Sequence, residues 1–280
     1  MTAEFVKYEV LGNSYVVVDP TVADLPANGS VARLLSDSNV GVGADGVIFG
    51  PYPQGNDVAL RVFNPDGSEC PGSGNGLAIF AHHVRRQGHV QRDRFTLRAA
   101  SGPVDVRIVN LDEALVEVTL GRATTTRDVL VVDGRNVEFT CVSVGTPHCV
   151  VLAPVAGRKE VERQGHAIGT HPSFPQKTNV EFVSLVDRSA IRVEVWERGA
   201  GYTLASGAGA SAAAAAIRAL GLVEEDVTVL MPGGEARVSI GPGNVVALRG
   251  TVREVVRGTF ADGFRTRMEA AAAESGSSKS

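Results

Sequence analysis

One short pattern occurs twice in this chain at a fixed spacing, and it restricts the fold more than any other feature. Residues 64–76 (NPDGSECPGSGNG) form a glycine-rich turn that runs straight into an apolar stretch suited to a helix, residues 77–84. Residues 204–209 (LASGAG) do the same ahead of a second apolar run. At an offset of 133 residues, Ser73, Gly74 and Gly76 match Ser206, Gly207 and Gly209. On the same offset Ala81, Arg85, Gly88, Val90, Asp93 and Leu97 match Ala214, Arg218, Gly221, Val223, Asp226 and Leu230. A chain rich in Ala, Gly and Val repeats those residues by composition. The matched Arg, Asp and helix-ending glycines need another cause, and the reading is a duplicated unit.

Duplication predicts two similar α+β halves facing each other across a cleft, each presenting a helix N-terminus and one side chain at the same point. Glycine-rich turns ahead of helices leave backbone N–H groups directed at one spot, where an anion can bind. The amides of Gly74, Asn75, Gly207 and Ala208 would hold a ligand carboxylate. Ser73 and Ser206 would approach one carbon from opposite faces, the geometry for removing a proton on one side and returning one on the other.

The rest of the chain excludes several classes. A net charge of −4 with no basic run argues against a nucleic-acid partner. The longest strongly apolar stretch, residues 212–216, is too short to cross a bilayer, so no membrane association is expected. Residues 1–10 lack a basic segment followed by an apolar one, and the three cysteines (Cys70, Cys141, Cys149) have neither paired nor zinc-like spacing. These features suit a cytoplasmic protein. An edge or face of either half could support a homodimer.

Strands are expected at residues 5–9 and 15–19 as a hairpin, and at 47–49, 58–63, 95–99, 104–109 and 114–120. In the second half they are expected at 129–132 and 137–144 around Asp133-Gly134, a hairpin signal, and at 149–152, 179–183, 191–196, 227–230, 236–240 and 245–249. Short helices fit 31–36 and 158–164. The Thr-rich residues 123–127 read as the crossing between halves. The N-terminal half is therefore placed at 1–122, completed by a strand near 253–262, the C-terminal half at 123–252, and a flexible tail at 270–280.

Ordered motifs run through most of the chain: 11–19 (LGNSYVVVD), 41–46 (GVGADG), Asn64-x-Asp-Gly-Ser-Glu69 with 74–76 (GNG), 145–148 (GTPH), 178–180 (TNV), 196–201 (WERGAG) and 205–210 (ASGAGA). In this order and spacing the chain, from about residue 5 to 260, resembles the diaminopimelate epimerases and related cofactor-independent amino-acid racemases. The resemblance implies an α+β fold of two pseudo-symmetric halves, each a curved, mostly antiparallel sheet wrapped round a central helix. It implies an amino-acid substrate and an isomerase that needs neither pyridoxal phosphate nor metal. It places Asn13, Asn64, Asn179, Glu197 and Arg198 on substrate. Arg198 offers a planar fork for a carboxylate and Glu197 a partner for an ammonium.

The family's two acid/base cysteines fall at Ser73 and Ser206, both serine here. A thiol of pKa about 8.5 yields thiolate readily at a helix N-terminus, whereas a serine hydroxyl needs another group to hold its proton. His148 and Glu197 are the candidates for that task. Thr146 stands where the family has Asn, which bears on the distal end of the substrate. Three readings follow: an epimerase or racemase with Ser73 and Ser206 as its acid and base; the same pocket used for elimination, cyclisation or one-sided proton transfer; or an amino-acid binder without catalysis, or one in which both serines were introduced to trap a ligand. Each residue also has a bland account: tight turns for the glycines, backbone-bonding turns for Asn64 and Asn75, a buried partnered role for His148, an exposed pair for Glu197 and Arg198.

Overall fold

The computed structural model describes residues 4–55, 57–153 and 157–277. The chain divides into two compact units, Met1–Val118 with Thr251–Ser280, and Thr119–Gly250. Both units are built by the same succession of strand pairings.

In the first unit, strands Phe5–Val10 and Asn13–Val18 form an antiparallel hairpin, with Val10 opposite Asn13. Its two-residue turn, Leu11 and Gly12, has φ of 57° and 77°, the left-handed turn whose twist suits a tight hairpin. Strand Asn13–Val18 pairs parallel to Val47–Gln54, which pairs antiparallel to Asp57–Phe63. Asp57–Phe63 then pairs antiparallel to Glu69–Cys70 and parallel to Arg94–Ala99. Two further antiparallel steps follow through Gly102–Asn110 and Leu115–Arg122. Strand Arg253–Gly258 returns to pair antiparallel with Phe5–Val10, so the end of the chain completes this unit.

The second unit repeats that order. Strands Thr124–Val132, Arg135–Val144 and Thr146–Leu152 are antiparallel neighbours, and Thr146–Leu152 pairs parallel to Asn179–Leu185. Ala190–Glu197 pairs antiparallel to Asn179–Leu185 and Gly201–Thr203, and parallel to Asp226–Met231. Gly234–Gly241 and Val245–Thr251 add the last antiparallel steps. Asp133 and Gly134, with φ of 51° and 73°, turn its first hairpin as Leu11 and Gly12 turn theirs. The fold is therefore α+β, two halves of one design, each a mostly antiparallel sheet around a central helix.

The central helices are Gly74–Arg86 and Gly207–Ala219, each of 13 residues. Residues 75–84 of the first are all buried, and so are 209–217 of the second. Six of those nine residues in the second are alanine, so the surrounding strands approach a helix of small cross-section. Each helix ends ahead of a left-handed glycine, Gly88 at φ 83° and Gly221 at φ 74°. This accounts for two of the matched glycines. A smaller helix lies outside each sheet, Gly29–Ser36 in the first unit and Arg158–Gly169 in the second. Asn28 caps the former, its side-chain oxygen accepting from the Val31 N–H at 3.0 Å.

Two expectations are corrected. Residues 123–127 do not form the crossing: four of them lie in strand Thr124–Val132, where β-branched threonines pair with Arg135–Val144. The chain passes between units at 118–119 instead. The tail expected to be loose from residue 270 belongs to helix Asp262–Ser277. Alanine favours helix, and Met268, fully buried, anchors the segment on Phe260, Leu35 and Phe49, with Phe264 and Ala272 against the same core. Residues 278–280 lie outside the described residues.

Candidate active site

Each central helix begins on a serine, and the two serines have the same local structure. Ser73 has φ −135° and ψ 125°, and Ser206 has φ −142° and ψ 121°. Ser73 Oγ accepts from the Gly76 N–H at 3.3 Å, and Ser206 Oγ accepts from the Gly209 N–H at 3.2 Å. Both are N-caps bonded to the third helical residue, which leaves the N–H groups of Gly74 and Asn75, or of Gly207 and Ala208, without acceptors inside the helix. The amides singled out from the sequence thus stand at helix N-termini, where the macrodipole favours negative charge.

The third helical position is glycine in both copies, and a side chain there would be crowded in the second. A Cβ on Gly76 would lie 3.4 Å from Ser73 Cβ and 3.5 Å from the Tyr15 ring. A Cβ on Gly209 would lie 3.2 Å from Ser206 Cβ and 3.0 Å from Glu181 Oε1. Each capping serine therefore shares its glycine with one polar side chain from the sheet, Tyr15 in the first unit and Glu181 in the second.

In the first unit the Tyr15 hydroxyl donates to Ser73 Oγ at 2.9 Å. Asn75 is 5% exposed; its Nδ2 donates to Asn13 Oδ1 at 3.4 Å, and its own Oδ1 has no partner. Ser73 with Tyr15 and Asn75 with Asn13 are thus two bonded pairs at the start of one helix. Asn64 is placed differently: it is exposed, and its Nδ2 donates to Ser68 Oγ at 2.9 Å within the 64–68 turn. Cys70 donates to the Gly72 carbonyl at 3.3 Å, and burial pushes its thiol up, away from thiolate formation.

In the second unit His148 is 2% exposed and Glu181 is 0% exposed. His148 Nδ1 is 2.7 Å from Glu181 Oε1, and Nε2 is 2.9 Å from Thr146 Oγ1. Both ring nitrogens are therefore engaged. Burial, the largest influence, pushes the Glu181 carboxyl up; the charge and hydrogen bond of His148 pull it down, and Glu197 adds a smaller upward push. Glu181 Oε2 is buried without a partner. Asn179 Oδ1 accepts from the Arg198 N–H at 2.8 Å, and Asn179 Nδ2 donates to the Pro147 carbonyl at 3.3 Å. Asn179 thereby ties two of the motif loops together. Arg198 is exposed, with Nη1 donating to the Gln176 carbonyl at 3.1 Å, and Glu197 Oε1 accepts from Thr203 Oγ1 at 3.2 Å.

Sequence reading missed Tyr15 and Glu181. Tyr15 lies inside a quoted motif, but nothing local marks its hydroxyl. Glu181 carried a signal: it is the one charged residue in the otherwise apolar or neutral strand NVEFVSL. Among the described residues, no group of three or more His, Cys, Asp or Glu side chains is arranged to hold a metal ion.

Comparison with known proteins agrees with this architecture. The family model described as diaminopimelate epimerase matches residues 5–126 and 140–255. The chain is 36% identical over 270 residues to diaminopimelate epimerase 2 of Nostoc sp., covering 91% of this chain and 94% of that protein. It is 35% identical over 276 residues to a diaminopimelate epimerase of Desulfitobacterium hafniense, covering 92% and 98%. Among solved structures, a probable proline racemase from Agrobacterium radiobacter K84 superposes with a TM-score of 0.70 at 16% identity, covering 93% of each chain, which speaks to the fold alone. The chain belongs to the diaminopimelate epimerase family.

Proposed function

We propose that this protein is an amino-acid epimerase or racemase that works at Cα without pyridoxal phosphate, with Ser73 and Ser206 as its acid/base groups. The observation that carries this reading is the pair of matching N-cap serines, each beside two helix N–H groups and a polar side chain from its own sheet. Membership of a family whose curated relatives are diaminopimelate epimerases supports the reaction class. A two-base epimerisation needs two proton-transfer groups, and each unit supplies one hydroxyl set to transfer a proton.

The substrate class is an α-amino acid. N–H groups that suit its carboxylate stand at both helix starts, Gly74 and Asn75 in one unit and Gly207 and Ala208 in the other, and the exposed guanidinium of Arg198 suits it too. Its ammonium suits Glu197. Thr146 turns its hydroxyl toward His148, and this use of the side chain favours a substrate whose distal group differs from that of diaminopimelate.

The test is incubation of the whole protein with individual amino acids, diaminopimelate included, in deuterated water. Deuterium entering Cα with inversion is the expected result. Binding without exchange, or loss of ammonia or water from the ligand, would overturn the reading in favour of a binder or a lyase.

A further inference from the structure

The two half-sites solve one problem differently. A serine hydroxyl is far too weak an acid to stand ready as a base, so each needs help from a neighbour. At Gly76 the neighbour is Tyr15, a donor bonded directly to Ser73 Oγ. At Gly209 the neighbour is Glu181, which is 0% exposed and has Oε1 on His148 Nδ1 and Oε2 unpartnered. A carboxyl group fully removed from water, and left with one oxygen unsatisfied, costs stability that a purely structural role would not require.

The Thr146–His148–Glu181 chain can gain a proton without losing a contact. With Glu181 ionised, Nδ1–H donates to Oε1 and Nε2 accepts from the Thr146 hydroxyl. With Glu181 protonated on its unpartnered Oε2, Nδ1–H still donates to Oε1 and Nε2 still accepts from the Thr146 hydroxyl. Both hydrogen bonds survive in either arrangement. The groups facing Glu181 are His148 and Cys149 on strand Thr146–Leu152, Glu197 on strand Ala190–Glu197, and the positive end of helix Gly207–Ala219. That helix end limits the cost of the ionised form, while burial and Glu197 favour the neutral one.

We propose that Glu181 is a positioning residue for Ser206, holding in its buried pair with His148 the proton that this serine must surrender and regain. One proton leaves the Ser206 hydroxyl as one arrives on the Glu181 carboxylate, so the half-site keeps its net charge, and the reverse step restores both groups. The role in turnover rests on the epimerase reading, whereas the proton linkage between Glu181 and Ser206 can be observed without a substrate.

The experiment has two arms on the full chain. Infrared spectra of wild type minus Glu181→Gln isolate the carboxyl stretch of Glu181, which is expected to titrate and to shift its midpoint in Ser206→Ala. A midpoint unmoved by Ser206→Ala overturns the proposal whatever the substrate proves to be. In the second arm Glu181→Gln is expected to lower kcat for Cα deuterium exchange about 100-fold, with KM changed by less than about twofold and the acid limb of the pH profile lost. Glu181→Asp is expected to recover part of the rate with that limb restored. A folded Glu181→Gln variant with the wild-type rate and pH profile overturns the proposal. If wild type exchanges no amino acid, the epimerase reading fails, and the infrared arm still decides the linkage.

Discussion

Ser73 Oγ receives two hydrogen bonds, one from the Tyr15 hydroxyl at 2.9 Å and one from the Gly76 N–H at 3.3 Å. With both donors in place its own O–H is the group left to donate, and any negative charge on the oxygen is already met. The tyrosine reaches this point from strand Asn13–Val18, 58 residues earlier in the chain. Ser206 keeps the N–H contact, at Gly209, but faces a carboxyl group at that glycine instead of a phenol. The half-sites thus share a backbone and differ in the side chain beside the shared glycine: a phenol that donates to the serine in the first, a buried carboxyl group in the second. Epimerisation asks one group to give a proton while the other takes one, and this difference suits such a division.

Tyr15→Phe should therefore impair exchange more than it impairs folding. Loss of one preorganised donor to a developing oxyanion costs about 100-fold in rate, whereas loss of one hydrogen bond costs about 1 kcal/mol of stability. The phenyl ring still fills the space beside Gly76. Cα deuterium exchange and a urea denaturation curve, measured side by side, check this. Unchanged exchange in the variant would remove Tyr15 from the half-site chemistry.

Replacing both serines by cysteine should raise the rate. The helix N-terminus lowers a thiol pKa from about 8.5 toward neutrality. The double variant Ser73→Cys with Ser206→Cys is expected to exchange Cα protons at least about tenfold faster than wild type at neutral pH. Either single variant should gain less, because the remaining serine still limits one face. A folded double variant with no gain would show that the site is not arranged for two-base chemistry.

Arg198→Ala should act on binding and leave the fold alone. Asn179 grips the backbone N–H of residue 198, a contact that the substitution preserves, while the side chain itself is exposed. Loss of a charge-assisted contact to a ligand carboxylate is expected to raise Kd about tenfold or more. Calorimetry with the amino acid that shows exchange makes the measurement, and undiminished affinity would place the carboxylate elsewhere.

Much of this architecture is written locally in the chain. The hairpin at Asp133-Gly134, the helix starts at Ser73 and Ser206 and the stops at Gly88 and Gly221 each depend on a few neighbouring residues, so short-range chemistry reveals them. The duplication was visible because the capping turns repeat at a fixed offset. The partners of the two serines were hidden for the opposite reason. Tyr15 and Glu181 arrive from other strands, and no local pattern says which inward-facing residue of a strand will meet a helix end. Asn64 shows the local side again: its amide donates to Ser68 four residues on, within the turn that the motif itself forms. The Thr-rich segment misled because threonine serves loops and strands alike, and only its pairing with Arg135–Val144 decides between them.

Stability should fall on acidification through a residue outside both half-sites. His83 lies on the first central helix, 5% exposed, with Nδ1 3.1 Å from the Tyr8 hydroxyl. Burial pushes its pKa from the ordinary 6.5 down to about 4, so the folded protein holds it neutral where the unfolded chain is already protonated. Between these values the unfolded state binds more protons, and stability therefore rises with pH. The contribution is present in full above pH 6.5 and is lost as pH falls toward about 4. The shift corresponds to about 3 kcal/mol. Urea denaturation across this range should show the loss in wild type. His83→Gln, which retains an acceptor for Tyr8 and does not titrate, should flatten that part of the curve whatever its effect on stability at neutral pH. An equally steep acid decline in His83→Gln would assign the effect to other groups, His82 first among them, since burial lowers its pKa as well and its Nδ1 has no partner.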